Sequence, residues 1–173
     1  MLLVSDIVVD PVRRQRHRFS RDGEDLLAEV ETDPGGDVPE HAHPHQVEWW
    51  EIMSGEATFV IDGEPRTART GNRIRADAGV RHAFINDGHT VAVLKVRVRP
   101  AGELQDFLTQ AARLATAGAF NQRGIPSSPS EGLAIVRLAL RYRADIQITS
   151  PPPARLINLL ARALGATAQH QRQ

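Results

Sequence analysis

At 173 residues and 41% apolar, the chain is long enough to bury one core and to carry an appendage beside it. Its 21 basic and 21 acidic residues cancel, so no net charge draws it to nucleic acid or an anionic membrane, and neither is an expected partner. With no cysteine, disulfides, thiolate metal sites and a cysteine nucleophile are excluded.

The first residues, Met1 to Asp6, are apolar only briefly before an acid, unlike the basic start and long apolar core of a signal peptide. No stretch reaches the roughly 18 uninterrupted apolar residues of a membrane helix, and the expected compartment is the cytoplasm. The run Arg13, Arg14, Arg16, His17, Arg18 offers no aromatic residue until Phe19. It reads as a solvated strand edge, where cations discourage pairing between sheets.

Up to about residue 100 the pattern is that of β-structure. Short runs rich in Val, Ile, Thr and aromatics are cut by turn signals at Arg21-Asp22-Gly23, Asp33-Pro34-Gly35-Gly36, Ser54-Gly55, Thr70-Gly71-Asn72 and Asn86-Asp87-Gly88. Asp62-Gly63, following Thr58 to Ile61, predicts a hairpin. Strands this short and close predict a sandwich or barrel, not a βαβ fold.

After Pro100 the period changes. Leu104, Phe107, Leu108, Ala111, Leu114 and Ala115 form one helical stripe, with Gly118 as a stop. A polar linker over residues 121–130 precedes a second helical pattern through Leu133, Val136 and Leu140. Ser150 and Pro151-Pro152-Pro153 resemble the cap and first turn of a third helix, carrying Leu156, Ile157, Leu159, Leu160 and Leu164 up to Gly165. Residues 169–173 read as a disordered tail. The division expected is a barrel over 1–100 and a helical extension over 101–173. The helix stripes are expected to pack on the barrel or on a second copy, and exposed strand edges favour a homodimer.

The chemistry concentrates between Gly35 and Asn86. His41 and His43, one residue apart, project from the same face of an extended strand. Glu48 follows after room for a turn, and His82 comes from a separate strand. Three imidazoles and one carboxylate suit a divalent ion of intermediate hardness: Fe(II), Mn(II), Co(II), Ni(II), Cu(II) or Zn(II). By alternation Trp50 and Ile52 share the face of Glu48, and Phe84 that of His82. These three either line a small-molecule pocket or fill the interior. Gln46 is a candidate support for Glu48. His45 is expected to point away, and His17, His89 and His170 to be exposed.

These residues resemble the two motifs of the cupin superfamily. Gly35, His41, His43, Glu48 and Gly55 match every fixed position of the first. Gly71, Gly79, His82 and Asn86 match the second, with Asp77 where proline is usual. The resemblance covers roughly Val30 to Val98. It implies an all-β fold, a double-stranded β-helix or jelly-roll barrel, here with an α-helical C-terminal extension. It also implies one metal held by His41, His43, Glu48 and His82, with iron favoured. The full ligand set with inward aromatics is similar to small quercetin-dioxygenase-type cupins. That similarity suggests oxidation of an enolic or phenolic small molecule, with Glu48 as base. The alternatives are an isomerase, cyclase or lyase that uses no O₂, as in small cupins of polyketide pathways, and a non-enzymatic ligand or metal sensor.

Overall fold

The computed structural model describes residues 6–121 and 124–149. Ten strands fill the first hundred residues: β1 (Val8–Asp10), β2 (Gln15–Asp22), β3 (Asp25–Thr32), β4 (Asp37–Ala42), β5 (Val47–Ser54), β6 (Glu56–Ile61), β7 (Glu64–Arg69), β8 (Arg73–Ala76), β9 (His82–Ile85) and β10 (Ala92–Arg99). Helices α1 (Leu104–Thr116) and α2 (Pro129–Arg141) follow, then a short strand β11 (Gln147–Ile148). One sheet has the order β1-β2-β3-β10-β5-β8 and the other β11-β4-β9-β6-β7. Every pairing between these strands is antiparallel. This is the jelly-roll architecture expected, with its two helices on the C-terminal side.

Alternation sets the core. In β5, Glu48, Trp50 and Ile52 are buried while the residues between them are half-buried. Trp50 and Ile52 meet Phe59, Ala57, Leu94 and Phe84 from both sheets in one apolar cluster. Phe59 is completely enclosed, and burying a side chain of its size contributes roughly 1.5–3 kcal/mol. The turn after β5 requires glycine. Gly55 has φ +78°, and a Cβ there would lie 2.7 Å from the main-chain oxygen of Val91.

The extension packs on the barrel through a second cluster. Leu104 and Phe107 of α1, with Tyr142 and Ile146 beyond α2, cover Phe19, Leu26 and Val98. Helix α1 ends where Gly118 adopts φ +82°, as its position in the sequence predicts. Helix α2 begins inside the expected linker. Ser128 caps it by accepting a hydrogen bond from the Glu131 amide at 3.3 Å, and Pro129 occupies its first turn. Leu140, expected in its apolar stripe, is exposed. The expected third helix, Ser150 to Gly165, the tail and His170 lie outside the described residues.

Two expectations about β2 are corrected. The arginine-rich run is not a sheet edge, because β1 pairs along its outer side and β3 along its inner side. Arg16 and Arg18 point outward and pair with Glu29, Glu31 and Asp33 on and just beyond β3. Such half-exposed pairs are worth up to about 1 kcal/mol each. His17 is buried, not exposed, because it shares the inward face with Gln15 and Phe19 and stacks on the Phe19 ring at 5.6 Å.

The His17 Nδ1 has no hydrogen-bond partner, and burial lowers its pKa from 6.5 to about 4. The unfolded chain therefore holds a proton on this ring between those values that the folded chain does not. Stability should fall as pH drops through that window, by about 2 kcal/mol between pH 8 and pH 5. His17→Phe should remove that part of the pH dependence. Denaturant titrations at the two pH values check this, and parallel losses in parent and variant would refute it.

Candidate metal centre

The four predicted ligands converge. His41, His43, Glu48 and His82 are all buried, and their ligating atoms lie within 4.8 Å of one another. His41 and His82 are directly paired in register across β4 and β9, which brings their ring centroids to 4.2 Å. His43 follows the end of β4, with its ring 5.0 Å from that of His41. Glu48 arrives from the opposite sheet, near the start of β5. The site therefore sits between the two sheets.

Local backbone explains the aim of each ring. The β4 register shifts between Val38 and His41, around Pro39. Proline has no amide to give to a ladder, so an irregularity is the natural place for it, and the bulge re-aims the following side chain. His41 Nδ1 then donates to the Pro39 carbonyl at 2.9 Å. His82 repeats the arrangement with the Val80 carbonyl at 2.9 Å, just after the Asp77–Val80 turn closed by the Val80 amide. His43 Nδ1 donates to the carbonyl of Asp145 at 2.6 Å. With Nδ1 tied to a carbonyl on all three, each Nε2 faces the site and can offer its lone pair to a cation, and this outer hydrogen bond is what orients metal-binding histidines.

Electrostatics match that role. Burial lowers the His41 pKa to about 3, helped by His82 and His43, so the ring is neutral and ready to donate its lone pair. For Glu48 burial opposes ionisation, but hydrogen bonds from His43 and His82 outweigh it and hold the carboxyl well below its usual range. For His43 burial opposes the charge, but its bond to Glu48 prevails and raises its pKa. Both His43 Nε2 and His82 Nε2 approach the same Glu48 oxygen, at 2.9 and 3.2 Å. Protons at this point compete with a cation, so metal uptake would release them and weaken in acid. Three nitrogens and a carboxylate oxygen within this span fit a first-row divalent ion, whose ligands stand about 2.0–2.2 Å from it.

The neighbouring residues fall differently. The Trp50 ring stands 5.2 Å from that of His82, against the site. Ile52 and Phe84 belong to the same apolar cluster, where Phe84 stacks against Phe59 at 5.4 Å. Gln46 does not bond Glu48. Its Nε2 reaches the Pro100 and Ala101 carbonyls and Asp145 Oδ1. His45 and His89 are exposed, as expected. Asn86, the last residue of the second motif, is fully buried and ties the Thr32 and Thr90 carbonyls to the turn before β10. A groove of about 750 Å³ lies across β2, β3, β10, β5 and β8, lined by Trp49, Lys95 and Arg97, and includes none of the four ligands. Asp145 was missed in the sequence reading. It lies 102 residues from His43 and acts through its main chain, so no side-chain pattern marks it.

Part of the chain matches known proteins. Residues 28–97 match the family described as "Cupin domain". Protein SchB of Streptomyces halstedii is 32% identical over 74 residues, covering 43% of this chain and 54% of SchB. The chain thus spans about half the length of that curated relative. Among solved structures, an RmlC-like cupin from Shewanella frigidimarina aligns with a TM-score of 0.52 at 20% identity, covering 58% of this chain and 88% of the other. KdgF from a Halomonas species gives 0.51 at 15%, covering 58% and 91%. At these identities the structures establish the shared fold alone.

Proposed function

Because this chain is a small cupin, we propose that it is a metal-dependent catalyst acting on a small organic molecule, as a dioxygenase of an enolic or phenolic substrate. One observation supports this most: three imidazoles, each tied through Nδ1 to a main-chain carbonyl, direct Nε2 to the point that the Glu48 carboxylate shares. When bound there, a divalent ion supplies positive charge that acidifies a ligated hydroxyl and, if it is iron, the redox capacity that O₂ chemistry needs.

The protein's own residues would divide the remaining work. His41, His43 and His82 hold the ion and leave positions for substrate. Glu48 takes the proton of the substrate hydroxyl, being ionised and placed among the ligands. Its side chain keeps 11% exposure where that of His43 keeps 2%, so Glu48 is the more open of the two to an incoming hydroxyl. Trp50 offers an aromatic surface next to His82, suited to a flat conjugated ring and to excluding water.

Oxygen uptake by Fe(II)-loaded protein with a panel of enols, diketones and flavonols tests this reading. Uptake that depends on both substrate and metal is the expected result. Substrate-dependent proton exchange into deuterated solvent without uptake would replace it with an isomerase, cyclase or lyase. Tight ligand binding with neither would make the chain a sensor.

A further inference from the structure

His43 differs from the other two histidines in how it is held. His41 and His82 each bond a carbonyl two residues back in their own segment. His43 lies beyond the end of β4, and its Nδ1 partner is the Asp145 carbonyl in the C-terminal extension. The segment carrying Asp145 crosses the barrel as a strap. Tyr142 and Ile146 anchor it in the second apolar cluster. Beyond Asp145, β11 pairs with β4 at Ala42 and His41, and the Thr149 amide donates to the Glu40 carbonyl at 3.0 Å.

The Asp145 side chain fixes the position of its own carbonyl. Its Oδ1 accepts from Gln46 Nε2 and from the Glu103 amide, each at 3.2 Å. Space for that carboxylate is made by Gly102, where a Cβ would stand 1.8 Å from Oδ1. Gln46 is 2% exposed and its Nε2 is committed to this junction. Gln46 stands two residues before Glu48 but does not serve it, because Glu48 takes its hydrogen bonds from His43 and His82.

We propose that Asp145 is a positioning residue of the metal centre, holding His43 with Nε2 facing the ion, so that the extension sets how tightly and how long the metal stays. This rests on the metal-binding reading. Hydrogen bonds of this kind typically change metal affinity 10–100-fold, because a ring that can rotate or change tautomer must be re-ordered for each binding event.

Co(II) serves as the probe, read by its visible absorption spectrum, by its affinity in chelator competition and by its dissociation rate into excess chelator. Asp145→Ala should weaken Co(II) binding by about tenfold or more, speed dissociation and alter the spectrum. Asp145→Asn keeps an Oδ1 acceptor and should stay within about threefold of the parent. Ile146→Ala, which removes packing from the same strap, should lower the melting temperature while leaving spectrum and dissociation rate near the parent's. Should Asp145→Ala fail to fold, Gln46→Met removes the donor to Oδ1 at nearly constant volume and should shift the same readouts in the same direction. Parent-like binding in folded Asp145→Ala, equal loss in the Asn variant, or equal loss in Ile146→Ala would each overturn the proposal while leaving the metal site standing. A parent protein that binds no Co(II) would overturn the metal reading and this proposal together.

Discussion

Removing two imidazoles at once, His41→Ala with His43→Ala, should abolish stable metal binding. Chelator-stripped and reloaded parent protein should retain about one equivalent of metal after dialysis, consistent with four ligands around one point. Losing half of those ligands should reduce affinity by at least about 10³-fold, since even outer-sphere changes cost 10–100-fold. The effect should also appear as stability. Metal that binds only the folded state at about 1,000 times Kd adds roughly 4 kcal/mol. For a chain of this size that raises Tm by about 8–16 °C. The double variant should show no metal-dependent shift. Neither residue anchors the main apolar cluster, so the metal-free variant should remain folded by circular dichroism. Full retention of metal by the folded double variant would sink the assignment of these ligands.

Replacing Glu48 by Gln in metal-loaded protein should lower turnover about 10²–10⁴-fold, the usual range for loss of a general base. The amide keeps the shape and one oxygen donor, so affinity should fall only moderately with three imidazoles in place. Proton abstraction is lost, because an amide does not accept a proton near neutral pH. Burial alone would leave Glu48 a stronger base, while its hydrogen bonds from His43 and His82 weaken it. Those bonds use the same Nε2 atoms that a bound ion would occupy. A bound ion would therefore take those two hydrogen bonds away from the carboxylate. The measurement is steady-state turnover at matched metal occupancy, with the substrate first found by oxygen uptake or proton exchange. Parent-like turnover in fully loaded Glu48→Gln would show that Glu48 is not the base.

How much of this was legible beforehand depends on the range of the interaction. The strand pattern, the Asp62-Gly63 hairpin and the α1 stripe follow from local periodicity and turn chemistry, and each stands in the fold as read. The convergence of His41, His43, Glu48 and His82 was equally readable, because their spacing places them on strand faces whatever the details of packing. Alternation also put Trp50 on the correct face. The same rule says only that a residue points inward. It could not separate Trp50, beside His82, from Phe84, whose ring lies against that of Phe59.

The errors were of long range. A run of arginines looks like an edge because cations are common there, yet whether β2 has a neighbour depends on β1 folding back along it. His17 looked exposed because the polar residues around it dominate its window, although the inward phase of β2 is fixed by Phe19 and Gln15. Strand β11 carries too few residues for any periodicity, and it exists through its pairing with β4. Composition and spacing were sufficient for the barrel and for the four side chains that converge inside it, because both depend on which way consecutive side chains point. The carbonyl that aims His43 required the folded chain: it belongs to a backbone group 102 residues away, and every residue has a carbonyl, so only tertiary packing selects the one that reaches the ring.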